Sequence, residues 1–475
     1  MRWNADRLRR SLEAVGDAKE LMVLSDAQSR AVSATEKLQS ILQENRHGLG
    51  VGVYSVCSAN RYVLEAAVQQ AKKVESLLLI ESTANQVNQF GGYTGQKPAD
   101  FAASVRKIAD SMQFPFEKIL LGADHLGPYV WRRETAREAM EKAYALARDS
   151  ILAGYTKIHL DCSMPCADDT GDRQKPLADE IVSERAAQLC AVAESAHREL
   201  SKGSPAPLYV IGTEVPIPGG ELNGMHAPET TRAEDLERTL TIAKHAFLSR
   251  GLAAAWERVV AVVVQPGVEF GDTSVHAYDS RKARELKDFS VKHWHGVYEA
   301  HSTDYQSSDA LRQLVNDHFA VLKVGPWLTY AFREVVFGLA DAEEEWLAQR
   351  TGVRLSGVRE ALERAMIENP EYWQDYYQGD EGALRFARQF SYSDRARYYW
   401  AQPRVAAALE RLLANLTTYP APDAVLRKYL PRQAELVRQG QLEIGSASLI
   451  RNKIQEVLEV YAKACGTKAG EYGTC

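Results

Sequence analysis

The chain has 475 residues, 45% of them hydrophobic and 25% charged, an ordinary globular balance. Its formal net charge of −6 offers no basic footprint for nucleic acid or an anionic membrane surface. No apolar stretch reaches bilayer-spanning length, and the opening MRWNADRLRRSLEAVG lacks a signal-peptide core.

Residues 1–47 are rich in Ala, Glu, Leu and Arg and read as an N-terminal helical segment. From 48 to 350 one pattern repeats: a short β-branched or aliphatic run ends in polar residues, and a longer amphipathic stretch follows. The runs are GVGVYSVC (50–57), SLLLIES (76–82), KILLGADH (118–125), KIHLDCS (157–163), LYVIGTEV (208–215), VVAVVVQPG (259–267), GVYEAHS (296–302) and AVLKVGP (320–326). The intervening helices end at stop signals such as Gly154 and Gly251. Eight strand–helix units predict a closed parallel (β/α)8 barrel. GLGVGV resembles a dinucleotide fingerprint, but its glycines begin a strand instead of following one. Residues 328–349 predict one long helix. Residues 351–475 then read as a helical extension with the aromatic clusters EYWQDYYQG and SYSDRARYYW.

The six cysteines, at 57, 162, 166, 190, 465 and 475, are too few to staple the chain, and they fit a reducing cytoplasm. Cys162 and Cys166 find no second Cys or Cys/His pair to complete a zinc site.

Barrel active sites lie at the C-terminal ends of the strands. Those ends carry Glu81, Asp124-His125, His159 and Asp161, Glu214, Gln265 with Glu269 beyond, Glu299 and His301, and Lys323 and Gly325. Ser302, Thr303 and Asp304 follow the seventh run. An isolated residue of this kind is often a helix cap or a satisfied hydrogen-bonding group. Polar ends on nearly every strand favour a shared site. His125, Glu214, His301 and Gln265 form a donor set suited to a divalent, zinc-like ion. Asn85, Gln86, Asn88 and Gln89 in NQVNQFGGYTG offer donor and acceptor ends that match sugar hydroxyls, or serve the turn itself. In KVGPWLT, Gly325 and Thr329 stand where a helix start can hold phosphate, or where Pro326 simply opens the helix. Arg395 and Arg397 have forks suited to phosphate or to a carboxylate that stitches the extension to the barrel.

SVCSAN, NQVNQFGGYTG, LGADHLGP, KIHLDCSMPCADD, ERAAQLC, IGTEVPIPGG, VQPGVEFG, YEAHSTDYQ, HFAVLKVGP and SDRARYYW stand in this order along the chain. On these segments the chain resembles the GatZ/KbaZ proteins, described as the accessory subunit of class II tagatose-1,6-bisphosphate aldolase. The resemblance implies a class II aldolase-like barrel. It makes Asp124 an acid/base carboxylate and His125 and His301 metal ligands. The aldolases draw a further histidine from the sixth-strand region. VVVQPGVEFG has none, so Gln265 or Glu214 would fill that place.

Three functions follow from the resemblance. The first is a D-tagatose 6-phosphate 4-epimerase acting in hexitol and ketose catabolism. The second is a non-catalytic partner of a catalytic aldolase subunit. The third is an aldolase in its own right, disfavoured by the missing histidine. A mouth ringed by acids, imidazoles and amides favours the epimerase, with Asp124 or Glu81 taking the C4 hydroxyl proton. The expected partner is a phosphorylated ketose; the aldolase subunit and self-association stay open.

Overall fold

The computed structural model describes residues 33–173, 175–212 and 228–466. Eight strands form its centre: β1 (Val53–Val56), β2 (Leu78–Thr83), β3 (Ile119–Leu126), β4 (Lys157–Leu160), β5 (Leu208–Ile211), β6 (Val259–Val263), β7 (Val297–Ala300) and β8 (Phe319–Val324). All neighbouring pairs are parallel, each strand lies beside its sequence neighbours, and β8 closes on β1. This is the (β/α)8 barrel, and each strand overlaps its predicted run, with β2, β3 and β8 reaching one residue beyond it at Thr83, Leu126 and Phe319. The runs were short and unbroken because these strands are buried on both faces.

The helices carry local stop and start signals. Thr135 and Glu138 form a capping box at the start of helix Ala136–Leu152, and Asn60 caps Arg61–Lys73. Gly154 and Gly251 adopt φ of 90° and 73°, the left-handed turn that ends each preceding helix. The long helix runs Pro326–Leu347, opening two residues before the predicted start because proline suits the first helical position. A small antiparallel hairpin, Glu269–Phe270 with Val275–His276, follows β6 and was not predicted. Strands this short leave almost no periodic signal.

Side-chain alternation stacks the barrel interior in layers. The lowest is apolar: Val53, Leu79, Leu120, Leu208, Val297 and Val321 pack with Leu38 and Leu42 of helix Ala34–Arg46 in one cluster. That helix therefore covers the N-terminal end of the barrel. Two residues further along the strands the interior becomes charged, with Ser55, Glu81, Lys157, Glu299 and Lys323 all buried. Two further on stand Asp124, His159 and His301 at the C-terminal mouth. Gly122 makes room in the charged layer, since a Cβ there would lie 2.7 Å from Glu81 Oε1.

Beyond Leu347 the described residues form helices and turns. Helix Ser446–Ala464 packs against Pro326–Leu347 and Arg61–Lys73. The turn Arg395–Tyr398 is tied to the long helix by Arg333, whose Nε lies 2.6 Å from Asp394 Oδ1 in a buried pair. This fold-back carries Arg397 and Tyr398 to the barrel mouth.

Candidate active site

Asp124 and His125 are adjacent in sequence, yet both side chains line the same pocket. A regular strand would send them to opposite faces. The β3–β4 register shifts between Ala123 and Leu126, and His125 has φ 48°, a left-handed value that is strained for a non-glycine residue. The bulge turns both residues inward.

Three imidazoles meet there. Ring centroids are 5.1 Å apart for His125–His159, 4.8 Å for His125–His301 and 5.1 Å for His159–His301. Each ring has one nitrogen engaged by a carboxylate. Asp161 Oδ2 lies 2.7 Å from His125 Nδ1, Asp124 Oδ1 lies 3.1 Å from His159 Nδ1, and Glu299 Oε1 lies 3.1 Å from His301 Nε2. Of the opposite nitrogens, His159 Nε2 is buried with no hydrogen-bond partner and His125 Nε2 lies 3.9 Å from Asp124 Oδ2. One donor atom from each of Asp124, His125, His159 and His301 fits within 4.8 Å of the others. A carboxylate behind each imidazole is the arrangement that orients histidines toward a metal, so the buried cluster can hold a divalent ion.

Below it, Lys157 Nζ lies 2.7 Å from Glu81 Oε1 and 2.7 Å from Glu299 Oε2. Lys323 Nζ pairs with Glu81, lies 2.8 Å from Asp124 Oδ1, and is 3.5 Å from Glu299 Oε1. Burial alone would neutralise Lys157, Glu299, Asp124 and Lys323, but mutual attraction favours their charged forms. Burial pushes Asp124 up, yet Lys323, His125 and the His159 bond hold it well below the usual carboxylate range. Burial pushes Lys323 down, and Asp124, Cys57, Glu299 and Glu81 outweigh it and hold its ammonium far above the usual range. A lysine so charged is a poor carbonyl nucleophile. Burial drives His301 down to about 3 despite its Glu299 bond, which keeps the ring in the neutral, ligating form.

The pocket above has an empty volume of ≈ 630 Å³ and is lined by Asn85, Gln86, Tyr93, Asp124, His125, His301, Ser302, Asp304, Lys323, Gly325, Arg397 and Tyr398, among others. Predicted and observed roles differ at several positions. Gln265 does not join the imidazoles, because its Oε1 accepts from the N–H groups of Gly267 and Val268. His159 takes the third place, from β4. Glu214 lies outside the described residues. Glu81 is fully buried and held by Ser55, Lys157 and Lys323, so it underpins the site from below and is not placed as a base. Asp161 braces His125 and bonds Ser163 rather than facing a substrate. Asn88 shapes its own loop through Ala84, Phe90 and Gly92, and Gln89 Nε2 donates to Lys142 O. Thr303 is buried against Lys323 O and Tyr461, and Thr329 donates to Pro326 O.

The phosphate cradle expected at KVGPWLT is already engaged. Asp304 Oδ1 accepts from Gly325 N at 3.0 Å and Trp327 N at 2.8 Å. Of the two arginines, Arg397 lines the pocket and donates to Tyr398 Oη at 3.0 Å, while Arg395 lies over the Tyr376 ring and bonds Tyr372 O. His159 and Glu299 were noted at strand ends without a role, and Lys157 was not singled out. The period-two spacing Lys157-x-His159-x-Asp161, which puts all three inward, was the signal that pointed to Lys157 and His159.

The fold and site define a (β/α)8-barrel protein with a carboxylate-braced trio of histidines at its mouth. The family model described as D-tagatose-1,6-bisphosphate aldolase subunit GatZ/KbaZ-like matches residues 38–466, and the chain belongs to that family. A solved structure from Sinorhizobium meliloti 1021, described as a probable tagatose 6 phosphate kinase, is 43% identical, with 87% of this chain and 100% of that chain covered and a TM-score of 0.78. The fructuronate-tagaturonate epimerase UxaE from Cohnella laeviribosi is far more distant, at 13% identity, 87% and 81% coverage and a TM-score of 0.43, a likeness too low to inform function. Among the described residues no helix is long and apolar enough to cross a membrane.

Proposed function

We propose that this protein is a D-tagatose 6-phosphate 4-epimerase, interconverting tagatose 6-phosphate and fructose 6-phosphate. The observation that carries the reading is the set of three carboxylate-braced imidazoles beside the pocket-lining carboxylate of Asp124. A scaffold has no need of buried charge at this cost. His125, His159 and His301 would hold a divalent ion, which when bound supplies Lewis-acid polarisation of a carbonyl.

The C4 hydrogen of a 2-ketose is not adjacent to the carbonyl, so direct removal of that proton is slow. Cleavage of C3–C4 avoids it. Asp124 accepts the C4 hydroxyl proton, the C3–C4 electron pair stays with C3, and C4 becomes an aldehyde carbon. The aldehyde presents its other face and the bond re-forms with C4 inverted. Asn85 lines the pocket and would bond a sugar hydroxyl. The Gln86 carboxamide accepts from Thr83 N and donates to Cys57 O, so it shapes the loop and does not make the sugar contact expected of it. Arg397 is the cation at the mouth suited to the phosphate, which stays on the aldehyde fragment and keeps it from escaping.

The family description favours a second reading, a subunit that supports a separate aldolase. Incubating the purified protein alone with tagatose 6-phosphate and a divalent metal discriminates the two. Fructose 6-phosphate is the expected product. No turnover alone, with aldolase activity raised on adding a catalytic subunit, returns the protein to the accessory role. The kinase in the neighbour's description is not adopted, since the family model that matches residues 38–466 describes an aldolase subunit.

A further inference from the structure

An inversion at C4 moves the oxygen that carries the travelling proton. In the two epimers O4 points to opposite sides of the substrate. Asp124 cannot follow it, because its Oδ1 is held by both His159 and Lys323. A second proton carrier is needed on the far side of the pocket. β3, which carries Asp124, and β7 stand four positions apart in a closed ring of eight strands, directly across the barrel. Asp304 follows β7 and lines the same pocket. Its Oδ1 is fixed by the N–H groups of Gly325 and Trp327, and its Oδ2 takes no part in those bonds.

Resting on the epimerase reading, we infer that Asp304 is a catalytic residue, the acid–base partner that handles the O4 proton in the inverted orientation. In the tagatose-to-fructose direction Asp124 takes the O4 proton as C3–C4 breaks. When C3–C4 re-forms on the other face, the O4 alkoxide takes a proton from the Asp304 carboxylic acid. Asp124 then returns its proton to water and Asp304 regains one, so protons balance over the cycle. The reverse reaction exchanges the two roles.

The surroundings of Asp304 suit this task. Burial pushes its carboxyl up to about 6, against the pull of the two backbone N–H groups and Arg397. Arg397, Tyr305 and Tyr461 are the titratable groups around it. A carboxyl in that range both holds and releases a proton near neutrality. Lys323 is no substitute, because it touches Asp124 and lies on the same side.

The test is Asp304→Asn, assayed beside the wild type with tagatose 6-phosphate. The amide oxygen can still accept from Gly325 and Trp327, so the helix cap and the melting temperature should persist. The expected result is a kcat lower by about 10²–10⁴-fold with little change in KM. Asp304→Glu keeps a proton carrier and should recover part of the loss. Wild-type kcat in the Asn variant overturns the inference. So does loss of tagatose 6-phosphate binding by calorimetry, or a Glu variant as slow as Asn. Absence of turnover in the wild type itself strikes the epimerase reading instead.

Discussion

His159 Nδ1 lies 3.1 Å from Asp124 Oδ1, while the opposite nitrogen of the same ring is buried without a partner. An orphaned ring nitrogen costs free energy unless something binds it. The His125 and His301 rings stand beside it, and one donor atom from each of the three rings fits within 4.8 Å of the others.

His159→Ala should therefore lower the divalent metal retained after dialysis, as should His125→Ala and His301→Ala. Gln265→Ala should leave it unchanged. Elemental analysis of the purified variants measures this without any assay of activity. Full metal content in His159→Ala would remove the third ligand from the proposal.

Asp124→Asn tests the base. The amide oxygen of the variant can still accept from His159 Nδ1 and brace that ring, so metal held by the three imidazoles should remain while kcat falls by about 10²–10⁴-fold. The same mechanism makes an isotopic claim. The C4 hydrogen never leaves its carbon, so epimerisation in D₂O should leave no deuterium at C4 by NMR. Deuterium at that position would point to direct proton transfer.

Arg397 and Arg395 should separate cleanly. Arg397→Ala removes a cation from the pocket and should raise KM for the phosphorylated ketose by roughly 10–100-fold, the scale of a charged hydrogen bond of about 1.5–3 kcal/mol. Arg395 is stacked on Tyr376 and bonded to Tyr372 O, so Arg395→Ala should change thermal stability and leave KM near that of the wild type. Equal KM values for both variants would remove Arg397 from phosphate binding.

The charged layer beneath the site makes a stability prediction. Lys157→Met breaks a buried ion pair to both Glu81 and Glu299, leaving the two carboxylates to share Lys323, and should cost about 3–5 kcal/mol. Gly122→Ala forces a Cβ to within 2.7 Å of Glu81 Oε1, and such overpacking costs about 1–3 kcal/mol. Urea denaturation followed by circular dichroism reads both. A Lys157→Met protein as stable as the wild type would show that the carboxylates share a proton or move apart.

The barrel itself was legible because its signals are local. Each strand is a short apolar run buried on both faces, and each helix carries its own caps and glycine stops, so eight units could be counted along the chain. Asp124, His125 and His301 were legible for a related reason, since the barrel rule assigns function to polar residues at strand ends. His159 was visible at the end of its run yet could not be ranked, because a histidine on a strand is usually only a hydrogen-bonded residue. Gln265 looked equally apt until its carboxamide proved to be bonded within its own loop.

The amino-acid sequence by itself determined the repeating strand–helix order, the acids and imidazoles that face the barrel mouth, and the family. The tertiary structure decided which of those groups meet. Strand alternation says that Glu81 points inward, but only closure of the barrel sets it against Lys157 and Lys323 instead of the substrate pocket. Arg397 stands 96 positions beyond His301 in the chain and comes to the same pocket only through the Arg333–Asp394 pair and the packing of the extension. Contacts of that kind depend on distances across the folded molecule, and spacing along a chain does not encode them.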